Sequence, residues 1–258
     1  MLLRSFLPLG SCVLLLSACA SLKGRDPLVS DRPDFTESTQ SIAPRHVQLE
    51  AGQTLSREGE TKSNAIGEVL VRAGLTPRVE LRLTGNSFVR EKTAGVVTSG
   101  MQDAAVGFKI KVLEGPDGPS WKPAFSFIAH TTVPSGAAAF SAGRAQPEVK
   151  LLGAWTITDR VGFASNINIG RPFDGTRSFT EYAGSGSFSF AVSERVGAYT
   201  EAFAFAPQDG SDVVQKYVNG GFTLLLSPDV QLDLRGGLGP KTAGSRDYFA
   251  GIGLVLHR

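Results

Sequence analysis

Cysteine is almost missing from this chain: Cys12 and Cys19 are the only two, and both stand near the start. The body of the chain can therefore form no internal disulfide and no thiolate metal site. Histidine is as sparse, and His46, His130 and His257 lie apart, without the ligand spacing that zinc requires. No nucleophile elbow, Walker loop or His-x-x-x-His pair is written anywhere. The Gly-rich stretches Gly143-Arg144 and Gly236-Gly237-Leu238-Gly239 lead into no helical pattern and so argue against a phosphate cradle. These absences speak against a metal or a cofactor. They also leave no Ser/His/Asp set or acid pair from which to assemble an enzyme.

A surplus of one charge is lacking too. Lys and Arg total 26 against 24 Asp and Glu, with no basic run, so a nucleic-acid partner is not expected. Beyond the N-terminus no apolar run nears the roughly 18 residues of a membrane-spanning helix. What the chain does carry is 30 Gly and 16 Phe among Val and small polar residues, a mixture suited to strands and turns.

The first residues read as a secretory signal. Arg4 precedes an apolar stretch over residues 6–16, too short and wrongly flanked for a membrane anchor. Two processing routes fit. Leu16-Ser17-Ala18-Cys19 reads as a lipobox, which would make Cys19 the lipid-bearing first residue of the mature chain. Ala18-Cys19-Ala20 reads instead as an ordinary cleavage site before Ser21. The lipobox is the preferred reading, and Ala20 rather than Asp after the cysteine would direct such a lipoprotein to the outer membrane. The chain then divides into a signal peptide over residues 1–19, an extended segment over 20–44 broken by Pro27, Pro33 and Pro44, and a folded body over 45–258.

In the body, period-two alternation begins and recurs nearly to the end. Val47, Leu49 and Ala51 alternate with Gln48 and Glu50; Val79, Leu81 and Leu83 with Glu80 and Arg82; Phe108, Ile110 and Val112 with Lys109 and Lys111. Ile167 and Ile169 alternate with Asn166 and Asn168, and Val230, Leu232 and Leu234 with Gln231, Asp233 and Arg235. Turn signals such as Thr76-Pro77, Thr158-Asp159-Arg160 and Ser227-Pro228-Asp229 separate the runs, and longer Gly/Ala-rich loops are expected at 135–145 and 236–245. The cuts fall near residues 46, 65, 77, 102, 121, 147, 161, 178, 195, 213, 229 and 246. They predict an all-β, antiparallel up-and-down transmembrane barrel of about 12 strands, with about 10 or 14 also compatible.

Alternation alone suits a soluble sandwich equally well. The polar positions decide, because they carry small residues, Gly and scattered charge where a water-facing surface usually carries dense Lys and Glu. Closure of the sheet also removes the edges that lipid cannot satisfy. Glu201 shares parity with Tyr199, Phe203 and Phe205, so that face is assigned to the interior and Ala198, Thr200, Ala202 and Ala204 to the outside.

The candidate lumen-lining residues are Glu80, Arg82, Lys109, Lys111, Lys150, Asn166, Asn168, Asp233 and Arg235. They could set solute preference or simply neutralise one another in a narrow interior. Asp31-Arg32-Pro33-Asp34 could dock a partner, plug the lumen, or connect by pairing Arg32 with a carboxylate at the rim. His46 reads as a strand-start residue at the aqueous rim more readily than as a ligand.

These residues carry a resemblance. Asp31-Arg32-Pro33-Asp34-Phe35-Thr36, then Ala43-Pro44-Arg45-His46-Val47-Gln48-Leu49-Glu50, Gly74-Leu75-Thr76-Pro77, Tyr199-Thr200-Glu201-Ala202-Phe203 and Leu226-Ser227-Pro228-Asp229 resemble the outer-membrane transporters named for the MetA pathway of phenol degradation. The resemblance runs from about Asp31 to Leu256. It implies an outer-membrane β-barrel with a transport role, and it marks Asp31, Arg32, Pro33, Asp34, His46, Gln48 and Glu50 as motif residues. The family name gives a pathway and no substrate, so phenol import does not follow. Arg45 stands where the family usually has Gly, Pro77 where Asp is common, and a lipobox is no general family feature.

The leading expectation is a channel or transporter in the bacterial outer membrane for small solutes, aromatic or apolar ones among them, with lipid as its surroundings. The alternative is a lipid-anchored binding or structural lipoprotein without transport. An enzyme ranks last.

Overall fold

The computed structural model describes residues 28–85, 87–208, 213–242 and 245–258. The signal peptide expected over 1–19, Cys19 and both processing routes lie outside these described residues.

Strands alone build the body. In chain order they are β1 (Val47–Glu58), β2 (Thr61–Thr76), β3 (Val79–Thr84), β4 (Phe88–Thr93), β5 (Val96–Met101), β6 (Ala104–Leu113) and β7 (Ala124–Val133). There follow β8 (Pro147–Thr158), β9 (Val161–Gly170), β10 (Glu181–Ala191), β11 (Val196–Pro207), β12 (Gln215–Ser227), β13 (Val230–Thr242) and β14 (Ser245–His257). Every named pairing is antiparallel, and β1 pairs with both β2 and β14, which closes the sheet into a barrel.

Two of the barrel's staves are broken into two segments each. β3 and β4 both lie on β2, at residues 70–76 and 62–66 respectively. β6 lies on β3 and β5 on β4, so the breaks at residues 85–87 and 102–103 sit side by side. The 14 segments thus form 12 staves, as the period-two runs predict. Three boundaries differ from expectation. The second stave starts at Thr61, not near 65, and the fourth starts at Val96, not near 102, because the break at 102–103 looks like a beginning. The loop expected over 236–245 is mostly strand, since β13 runs on to Thr242 and only a short link precedes β14.

The start of β1 and the end of β14 lie at one end of the barrel, where the links at 77–78, 159–160, 192–195 and 228–229 are short and that at 114–123 is long. The other end carries longer loops over 134–146 and 171–180. It also has a tight turn in which Ala94 and Gly95 take φ of 48° and 89°, the left-handed pair that a two-residue hairpin needs. Short turns face the periplasm in such barrels and longer loops face outward.

Burial runs opposite to that of a soluble β protein. Glu50, Arg72, Glu80 and Lys109 are 0% exposed, while Ile167 is 56% and Phe222 60% exposed. An apolar exterior around a charged interior suits a solvent of lipid.

Candidate functional site

Strand parity aims the charged side chains into the lumen. Gln48 and Glu50 enter from β1, Arg72 from β2, Glu80 and Arg82 from β3, and Lys109 from β6. Lys150 enters from β8, Asn166 and Asn168 from β9, Glu201 from β11, and Asp233 and Arg235 from β13. A bulge in β2 adds one more. Glu50 pairs with Leu70 but Gly52 with Gly67, so Ala51 alone faces both Glu68 and Val69, and the φ of 41° at Glu68 follows 107° at Gly67. The bulge re-aims Glu68 into the lumen.

The wall charges are segregated. The arc formed by β2, β3, β6 and β8 carries Arg72, Arg82, Lys109 and Lys150, only partly offset by Glu80 and by Glu50 of the adjoining β1. The arc of β11 and β13 carries Glu201 and Asp233, with Arg235 as its one cation among the residues named. Between the arcs runs the chain's own N-terminal segment, residues 28–44, which forms no strand. An irregular backbone in such a place must find partners for its polar groups. Side chains of the wall supply them: Arg72 donates to the carbonyls of Val29 and Gln40, Ser126 to that of Thr39, Arg235 to that of Pro33, and Glu80 accepts from the Ile42 N–H.

The segment's charges match the wall. Asp31 accepts from Lys109 Nζ at 2.8 and 3.0 Å and from Arg82 at 2.5 Å, with Arg72 at 3.4 Å. Glu37 pairs with Arg82 and Lys150, each at 2.6 Å. Arg32 turns the other way, to Asp233 at 3.3 Å and Glu68 at 2.9 Å. Its guanidinium fills the space beside Gly52 and Gly253, where any β-carbon would collide with it. Glu201 accepts from the N–H groups of Phe35 and Thr36 at 2.9 and 2.6 Å and from Asn219 at 2.6 Å. Burial alone would raise the Asp31 and Glu37 carboxyls, but the surrounding cations hold both below their ordinary values. Asp34 has Ser187 as its hydroxyl partner, and burial, then the nearby Glu201 carboxylate, push it well above the ordinary range. The segment leaves a cavity of about 520 Å³ toward the loop end and one of about 720 Å³ toward the short-turn end, with Arg32, Asp34 and Glu37 lining both.

The other predicted residues spread out. Asn166 is buried and, with its amide turned to satisfy both atoms, accepts from the Glu37 N–H at 2.8 Å. Asn168 is buried with neither amide atom hydrogen-bonded. Lys111 stands apart from the network and pairs with Glu114 at 2.8 Å. The histidines prove less isolated than their spacing implies. His46 stacks on His257 at 5.5 Å, and His130 Nε2 meets Glu148 at 2.7 Å. Gln48 bonds the Val29 carbonyl and Glu50. Sequence reasoning passed over Arg72, Glu68 and Glu37. Arg72 carried a signal, as a lone cation inside the apolar run Val69-Leu70-Val71-Arg72-Ala73; the other two depend on the bulge and on the path of the segment.

A closed, inside-out antiparallel barrel of 12 staves defines an outer-membrane β-barrel protein. The chain belongs to the family described as "Putative MetA-pathway of phenol degradation", whose model matches residues 30–257. Among solved structures, an outer membrane channel from Pseudomonas putida F1 is similar over 85% of this chain and 98% of its own, with a TM-score of 0.62 at 14% identity. KdgM porin is similar over 81% of this chain and 98% of its own, with a TM-score of 0.52 at 11% identity. At such identities the likeness is one of fold. No curated protein matches the chain in sequence.

Proposed function

We propose that this protein is a non-enzymatic outer-membrane channel for small solutes, and that residues 28–44 close it in the state described. One observation carries the reading: acids of the segment meet the cationic arc, and its Arg32 meets the acids Asp233 and Glu68. A mere connection to an anchor would need no such matching through the middle of the lumen. The same contacts are polar and separable, as a removable closure requires. The lumen-lining residues would then set solute preference once the segment withdraws, and lipid would surround the apolar exterior. Lipidation at Cys19 is compatible with this reading, as a tether preceding the segment.

The test is conductance in planar bilayers. Full-length protein should pass little current, and a variant lacking residues 30–42 should open to at least about tenfold more, the scale set by losing a little over 1 kcal/mol of closing energy. Equal currents would refute closure by the segment. A carbonate wash that strips the protein from membranes, with no heat-shifted folded band on gels, would instead favour the lipid-anchored lipoprotein.

A further inference from the structure

The inserted segment holds one aromatic side chain among its charges, and that side chain occupies a built slot. Phe35 stacks on Phe203 with ring centroids 4.7 Å apart and an interplanar angle of 18°. Phe205 meets it edge-on at 5.3 Å and 75°, and Lys150 Nζ lies over the ring at 6.0 Å. Phe203 in turn stacks on its cross-strand partner Tyr217 at 4.8 Å and 8°. Face, edge and cation are the three preferred partners of a π-system, and no aliphatic ring could use them all. The slot opens on the loop-end cavity, whose volume of about 520 Å³ lies in the range of small-molecule sites and whose lining continues the aromatic surface through Tyr217 and Phe249.

The cavity's deep charges are already spent on one another. Asp31, Glu37 and Glu68 are paired with Arg82, Lys150 and Arg32, and Arg235 is shared among Glu68, the Thr54 hydroxyl and the Pro33 carbonyl, so each of these cations already has an acceptor. We infer that the Phe203–Phe205–Tyr217 surface is a binding site for an uncharged planar aromatic solute arriving from the loop end, and that Phe35 is its internal competitor. A solute ring on Phe203 requires Phe35 to leave. Phe35 cannot leave without loosening its own N–H and that of Thr36 from Glu201, so occupancy loosens the segment. The inference rests on the closed-channel reading and supplies it with a trigger.

The experiment reads release of the segment and does not depend on current. Thr39, 2% exposed, is replaced by Cys in the full chain reconstituted in lipid, and maleimide labelling at residue 39 is followed by peptide mapping. The probes are benzyl alcohol and cyclohexylmethanol, alike in size and in their effect on bilayers but unlike in stacking. Benzyl alcohol should speed labelling roughly tenfold, the scale of one lost aromatic pair, and cyclohexylmethanol should not. Phe203→Ala should label faster without any probe and lose the response, while its folded, heat-shifted band is retained. Equal acceleration by both alcohols, or an undiminished response in Phe203→Ala, would overturn the site. Should the response appear as expected while the variant lacking residues 30–42 passes no extra current, the site stands and the channel reading falls.

Discussion

Asp34 meets a hydroxyl and a second carboxylate where Asp31 and Glu37 meet cations, and this difference gives the segment a pH response. The docked values of Asp31 and Glu37 are depressed, so their contribution to docking is complete above the ordinary carboxylate range and is lost as pH falls through the docked values. Asp34 is raised, so its contribution is complete at low pH and is lost as pH rises through its docked value. The segment is held best between those limits. Raising the pH above the ordinary carboxylate range should therefore increase conductance of the full-length protein, and Asp34→Asn should flatten that rise. A rise that survives Asp34→Asn would assign the response elsewhere. Asp31-Arg32-Pro33-Asp34 was legible as a special string, and plugging was among its readings. The partners of its charges were not, because they are remote in sequence, Asp233 standing 201 residues from Arg32. Arg45 shows the reverse case. Its φ of 66° lies where glycine is favoured, which agrees with the glycine that the family resemblance leads one to expect there.

At the scale of elements, period two is strong enough to count staves and too simple to find their irregularities. It placed Glu201 inward and the isoleucines of β9 outward. It could not place Glu68, because the bulge after Gly67 shifts parity within β2, nor the paired breaks near 85 and 102, which interrupt the strands without ending the stave. The exit of the segment from the lumen depends on one such local feature. Pro44 bridges to Gly74 of β2, Arg45 N–H donates to the Gly74 carbonyl, and a β-carbon at Gly74 would strike the backbone oxygens of Ile42 and Ala43. A backbone cannot yield as a side chain can. Gly74→Val should thus displace residues 42–44 while leaving the β1–β2 hairpin closed at its far end. The expected result is a leak current between those of the full-length protein and the deletion variant, with the heat-shifted band intact. Currents indistinguishable from the full-length protein would show that the segment does not need this passage.

At the scale of the molecule, adjacent residues on one stave obey opposite rules. Asp233 and Leu234 are neighbours in β13, yet Asp233 is 1% exposed against Arg32 and Leu234 is 55% exposed on the apolar exterior. In a soluble protein an exposed Leu→Arg change is nearly free, whereas on the lipid face of a barrel a cation costs about 2–4 kcal/mol near the midplane and less toward the interfaces. Leu234→Arg should therefore lower the urea midpoint for folding into liposomes, by the equivalent of about 2 kcal/mol or more, and leave conductance of the folded fraction unchanged. Asp233→Asn should do the converse: it leaves lipid contact untouched, so folding into liposomes shifts little, but it weakens the hold on Arg32 and raises the leak. The two variants separate what keeps the barrel in the membrane from what keeps the segment in the barrel. If Leu234→Arg folded as readily as the parent protein, the apolar exterior could not be the surface that meets lipid, and the inside-out arrangement would need another cause.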